Sequence, residues 1–259
     1  MISITGLPAF NDNYIWMLVD SKSQSCFVVD PGDGEVVLRA CQEQGLTLKG
    51  ILLTHHHADH TGGVARLTSL DDISVYGPAK ESIKGITQKL SEGDIITILG
   101  HDLAIFDTPG HTAGHISYFG HWQDHEPVLF CGDTLFAGGC GRLFEGTPAQ
   151  MRESLTKLSN LPDNTLVYCA HEYTQANLNF ARAVEPENTD LQERYQQVLT
   201  LREQSRPTVP SRIVDERKTN PFLRADVELV RKAAEIQSGQ TLSSADETFA
   251  AVRRWKDTF

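Results

Sequence analysis

Short apolar runs broken by Gly, Pro, Asp and Asn dominate the first two thirds of this chain. Residues 14–19, 26–30, 50–54, 73–76, 95–98, 103–107, 115–119, 128–131 and 166–169 are rich in Ile, Val, Phe and Tyr, and each predicts a strand. Between them, 35–44 carries helical periodicity and closes at Gly45. A second helix is predicted over 147–158, with Thr147 as its cap ahead of Pro148. After about residue 172 the pattern changes: 172–184, 191–203, 226–238 and 243–257 all read as helices, and 206–223, which contains prolines, reads as irregular. Many strands with helices between them predict sheets covered by helices on their outer faces. The expectation is an α/β body over residues 1–171 and a small helical domain over 172–259.

Composition narrows the partners. With 23 basic and 34 acidic residues the net charge is −11, which disfavours nucleic acid. No window has the roughly 20 apolar residues of a membrane helix, and residues 1–6 do not resemble a secretory signal. Five scattered cysteines (Cys26, Cys41, Cys131, Cys140, Cys169) form neither a disulfide framework nor a cysteine-based zinc site. Reduced thiols in a cytoplasmic protein, acting as a monomer and away from membranes, are the expectation.

The candidate chemistry begins where the apolar strand 50–53 gives way to Thr54-His55-His56-His57-Ala58-Asp59-His60, followed by Gly62-Gly63. In a strand, residues two apart share a face, so His55 and His57 are expected to meet one cation while His56 faces away. Asp59 and His60 fall in the turn beyond, within reach of a neighbouring cation. The same grammar, an apolar strand followed by a small residue and then a metal-ligand type, recurs at His111, Asp133 and His171. Strand ends of this kind gather on one rim of a sheet protein. Imidazole and carboxylate suit zinc, iron or manganese. His115 is read as a hydrogen-bonding support, and His101, His121 and His125 as solvent-exposed. No Gly-x-Ser-x-Gly elbow or phosphate-binding loop is present.

Taken together, the T-H-x-H-x-D-H run, the later G-H, C-G-D and A-H-E resemble the metallo-β-lactamase superfamily. Within it, several further segments are similar to the hydroxyacylglutathione hydrolase (glyoxalase II) family. These are residues 8–14 (PAFNDNY), 29–32 (VDPG), 138–147 (GGCGRLFEGT), 220–224 (NPFLR) and 252–257 (VRRWKD). The resemblance implies a four-layer αβ/βα sandwich with a binuclear metal site and a small C-terminal helical domain. It places His55, His57 and His111 on one metal and Asp59, His60 and His171 on the other. Asp133 and a hydroxide would bridge the two. Zinc is the first expectation for both metals, with iron or manganese mixtures as alternatives.

The implied reaction is hydrolysis of S-D-lactoylglutathione to D-lactate and glutathione, the second step of methylglyoxal detoxification. Asp59 and Asp133 are the implied catalytic residues. Glutathione carries carboxylates, and Arg253 and Lys256, three apart on one helix, are expected to grip its glycine end. Arg142, Phe144 and Tyr173 match contacts to the peptide part. Position 144 is often Tyr and position 142 often Lys in relatives, so a hydroxyl is missing and a charge geometry altered here. Other superfamily enzymes, a lactonase or an iron-dependent persulfide dioxygenase, are the competing readings.

Overall fold

The computed structural model describes residues 2–70, 73–123 and 125–259. The chain forms two compact units: one runs through Asp107 and includes Thr112–Gly132, the other contains Thr108–His111 and Asp133–Phe259.

In the first unit the strands are β1 (Ile2–Ala9), β2 (Asn13–Asp20) and β3 (Ser25–Val29), then helix α1 (Gly34–Gln44) and strand β4 (Thr47–Leu52). Two short helices follow, α2 (Ala58–Thr61) and α3 (Val64–Thr68), and then β5 (Ser74–Pro78) and β6 (Gln88–Leu90). Among the described residues β1 to β6 form one six-stranded sheet in sequence order. Its first two pairings are antiparallel and the next three parallel. Parallel neighbours need a crossover, and α1 and the α2–α3 pair supply two of them. β7 (Ile95–Ile98), β8 (His101–Asp107), β9 (Ile116–Gly120) and β10 (Val128–Gly132) then pair antiparallel in succession.

β1 escaped the sequence reading because its pattern is interrupted by Gly6 and Pro8 and most of its positions are partly exposed. Pairing with β2, from Ile2 opposite Asp20 to Ala9 opposite Asn13, makes it a strand despite that pattern. The core of this unit joins Ile15, Met17, Val28, Ile51 and Val75 on the sheet to Val37, Ala40 and Cys41 of α1 and Val64 and Leu67 of α3. Full burial of a Val, Leu, Ile or Met side chain stabilises by roughly 1.5–3 kcal/mol. Tyr118 donates its hydroxyl to the Leu53 carbonyl at 2.8 Å, and the Ile116 amide donates to the Thr54 carbonyl at 2.9 Å. Those two bonds tie β9 to the segment that leaves β4, where the histidine run starts. His121 is exposed, whereas His101 and His125 are half-buried against the Trp122 ring, at 4.9 and 5.6 Å between centroids. The indole thus removes two of those three histidines from the solvent-exposed class.

The second unit opens with a hairpin, β11 (Leu135–Phe136) and β12 (Gly139–Cys140), and continues through α4 (Pro148–Ser159), β13 (Leu166–Cys169), α5 (Thr174–Val184) and α6 (Thr189–Glu203). Then come β14 (Ser211–Arg212), α7 (Ile213–Thr219), α8 (Glu228–Ser238) and α9 (Ala245–Thr258). Thr147 caps α4 through a capping box with Gln150, and Pro148 opens the helix. The stretch 206–223 is not wholly irregular, since it contains β14 and α7. In α7 the buried Glu216 accepts the Gly138 amide at 2.8 Å, and Asn220 just beyond donates to the Gly139 carbonyl at 2.9 Å. From α5, Asn177 donates to the Ala137 carbonyl at 3.2 Å. The turn following Asp133 is thereby held from two helices. No helix among the described residues is long and apolar enough to cross a membrane.

Candidate metal centre

In the first unit the histidine run is organised from one buried carboxylate. Asp30 lies just past β3 with a left-handed backbone, φ 52°, and is 4% exposed. Its Oδ1 accepts the Thr54 amide at 2.8 Å and its Oδ2 the Thr54 hydroxyl at 2.7 Å. Because that hydroxyl spends its hydrogen on Asp30, the 3.0 Å contact between Thr54 Oγ1 and His55 Nδ1 puts the proton on Nδ1. His55 therefore presents a lone pair at Nε2. His60 is also held by Asp30, with Nδ1 3.1 Å from Asp30 Oδ2, which leaves the lone pair at Nε2.

The lone pairs converge. His55 Nε2 lies 3.1 Å from His57 Nδ1, and His60 Nε2 lies 3.3 Å from Asp59 Oδ2. Asn13, at the start of β2, donates to that same Asp59 oxygen at 2.9 Å and aims it. Expected to face away, His56 does so: its Nδ1 meets Glu81 Oε2 at 3.0 Å. His115 is fully buried, its ring stacked on that of His55 at 4.9 Å. Gly132, at the end of β10, has a φ of 46°, and a Cβ there would lie 2.3 Å from Thr54 Oγ1 and 2.8 Å from His115 Nε2. Only glycine lets the backbone pass so close to these two groups.

In the second unit the remaining three donors form their own cluster. Asp133 Oδ2 lies 3.3 Å from His111 Nε2, and Asp133 Oδ1 lies 3.3 Å from His171 Nε2. One carboxylate thus faces two imidazoles, one with each oxygen. His111 Nδ1 donates to the Arg142 carbonyl at 2.8 Å, so its Nε2 also carries a lone pair toward Asp133. Electron-pair donors turned toward one another at these distances are an arrangement that a cation stabilises. In both units the donors are imidazole nitrogens and carboxylate oxygens, a set that fits zinc, iron or manganese.

The expected substrate contacts all lie in the second unit and differ in exposure. Tyr173 stacks parallel on His171 at 4.7 Å, and the 61% exposed Phe144 sets its ring edge-on to His111 at 5.3 Å. The Arg142 side chain is 62% exposed, with Nε 3.5 Å from Asp257. Arg253 is buried: it donates to the Cys140 carbonyl at 3.0 Å and to Asp257 at 3.1 Å. Its Nε is buried with no hydrogen-bond partner among the described residues. Lys256 is half-buried, and desolvation, with Arg253 adding to it, lowers its ammonium below the ordinary lysine value. Asp30, Asn13, Thr54 and Glu81 are the functional candidates that motif reading did not assign. Asp30 carried a signal, since it follows an apolar strand just as the metal-ligand candidates do.

Residues 12–171 match the family model of the metallo-beta-lactamase superfamily, and residues 172–259 match that of the hydroxyacylglutathione hydrolase C-terminus. A hydroxyacylglutathione hydrolase of Pseudomonas paraeruginosa is 54% identical over 260 residues, covering 100% of both chains. Among solved structures, ETHE1 from Myxococcus xanthus superposes with a TM-score of 0.67 at 23% identity, over 100% of this chain and 99% of that one. TTHA1623 in a di-iron-bound form is 28% identical with a TM-score of 0.51, over 65% of this chain and 91% of that one. The α/β fold, mixed sheets with helices and a helical C-terminal region, is that of the metallo-β-lactamases.

Proposed function

The chain belongs to the hydroxyacylglutathione hydrolase family of the metallo-β-lactamase superfamily, and on that premise we propose that it hydrolyses S-D-lactoylglutathione, and 2-hydroxyacylglutathiones generally, to the 2-hydroxy acid and glutathione. The observation that carries this reading is the placement of Asp133, with one oxygen toward His111 and the other toward His171. A carboxylate so shared is suited to fix the spacing of two cations. His55, His57 and His111 are assigned to one divalent cation, Asp59, His60 and His171 to the other, and Asp133 to both. Zinc is the first choice, with iron or manganese compatible with the same donors.

When bound, such a pair supplies a water of lowered pKa and polarises the thioester carbonyl. The chain's own residues do the rest. Asp59, steadied by Asn13, would accept a hydrogen bond from the attacking water and orient it. Asp30 keeps His55 and His60 in the tautomer that leaves Nε2 open. Arg142, Phe144 and Tyr173 line the approach of the peptide part. Lys256 contributes positive charge for the glycine carboxylate, and the buried Nε of Arg253 is a donor that a carboxylate would satisfy. Residues 172–259 contribute to glutathione binding in a cytoplasmic, monomeric enzyme.

Turnover of a panel comprising S-D-lactoylglutathione, a simple lactone and glutathione persulfide tests the assignment. The thioester is expected to be the preferred substrate by kcat/KM. Preference for the lactone or the persulfide would overturn it.

A further inference from the structure

Glu81 lies in the turn after β5, outside every motif considered so far, and its side chain is 3% exposed. A buried carboxylate costs several kcal/mol unless hydrogen bonds replace its water. Here they come from two distant segments. Oε2 meets His56 Nδ1 at 3.0 Å, while Oε1 accepts the Thr112 hydroxyl and, at 3.2 Å, the Gly114 amide. His56 lies between two assigned ligands, His55 and His57. Thr112 comes one residue after His111, and Gly114 one residue before His115, whose ring stacks on His55. The fit is close, since a Cβ on Gly114 would lie 2.5 Å from Glu81 Cγ.

We propose that Glu81 is a positioning residue: it clamps the His55–His57 segment to the Thr112–Gly114 loop and so sets the geometry in which His55 and His57 bind metal. The inference rests on the reading of His55 and His57 as ligands. By holding His56 from behind, Glu81 keeps its neighbours on the alternate face and keeps the His56 imidazole out of the site. It touches neither substrate nor metal, so its effect reaches the chemistry only through the ligands.

The test is metal affinity, by chelator competition on protein verified as folded by circular dichroism. Glu81→Ala is expected to weaken binding by about 10-fold to 100-fold, in the range of other ligand-supporting partners. The metal-loaded variant is expected to lose kcat while KM stays near that of the unaltered protein. Glu81→Gln should restore affinity to within about threefold, because its amide oxygen can accept from Thr112 and Gly114 while its nitrogen donates to His56. Glu81→Asp, one methylene short, should fail to restore it. Unaltered affinity in Glu81→Ala overturns the proposal even if the melting temperature falls, since a purely structural role predicts only that fall. If Glu81→Ala does not fold, Thr112→Val removes a single bond, and unaltered affinity there overturns the proposal equally. The unaltered protein is assayed alongside. Absence of its own metal-dependent thioester hydrolysis would sink the functional reading as well, whereas failure of the Glu81 variants alone leaves that reading standing.

Discussion

Asp30 and Thr54, 24 positions apart, are joined by two hydrogen bonds: the carboxylate takes the Thr54 amide at 2.8 Å and the Thr54 hydroxyl at 2.7 Å. The pair fixes the exit of β4 and, through Thr54, the tautomer of His55. Asp30→Ala should cost stability of about 1–3 kcal/mol for each buried donor left unmet. Metal affinity should fall by about 10-fold to 100-fold. Thermal melting and chelator competition on the same preparation read both, and a variant that melts early yet binds metal normally would contradict the tautomer argument.

Asp133 is the one donor assigned to both cations. Asp133→Ala is expected to purify with at most one bound metal, and the unaltered protein with two. With several kcal/mol of charge stabilisation lost, kcat should fall on the order of a thousandfold. Elemental analysis of protein prepared without added metal checks the first half, and undiminished metal content would refute the bridging role.

The metal-ligand segments are legible because the four of them, opening at His55, His111, Asp133 and His171, each come shortly after an apolar strand, a local pattern that sequence displays. Tautomer and aim were not legible. They depend on Asp30 reaching His60 across 30 positions and on Glu81 reaching His56 across 25, contacts with no local periodicity. The helical periodicity of the tail is local, and α5, α6, α8 and α9 form where it predicts helices. The burial of Arg253 was not legible, because helical spacing cannot say that the Cys140 carbonyl, 113 positions away, occupies its guanidinium. α7 was obscured by the prolines before it, and its defining feature, the buried Glu216 holding the Gly138 amide, is again a long-range bond.

That burial separates the two tail residues. Lys256→Ala should raise KM by roughly 10-fold to 100-fold with kcat nearly unchanged, the loss of one charge-assisted hydrogen bond. Arg253→Ala should raise KM and also lower stability by about 1–3 kcal/mol, because the buried Cys140 carbonyl loses its donor. Steady-state kinetics with melting curves distinguish them. Equal loss of stability in both variants would show that the helix face has been misassigned.

Burial, followed by the nearby Arg253, holds the Lys256 ammonium below the ordinary lysine value of 10.5. As pH rises, Lys256 therefore loses its charge before an ordinary lysine would, and KM should start to climb in that window. The sign for stability is opposite. Between the folded and unfolded values the unfolded chain holds the extra proton, so this residue's contribution to stability rises with pH. It is complete above the unfolded value and is lost as pH falls through the folded one. A KM–pH profile of the unaltered protein beside Lys256→Ala reads the effect, and the variant should lack this limb. An identical limb in both would assign the titration elsewhere.

The central proposal is that His55, His57, Asp59, His60, His111, Asp133 and His171 are the ligands of two divalent cations that this chain uses to cleave a glutathione thioester. The direct measurement follows loss of the ultraviolet thioester absorbance of S-D-lactoylglutathione with protein stripped by chelator and then reloaded stepwise with zinc. Hydrolysis should vanish on stripping and return in full as metal approaches two per chain. Hydrolysis that survives complete stripping, or none at any metal loading, would contradict the account.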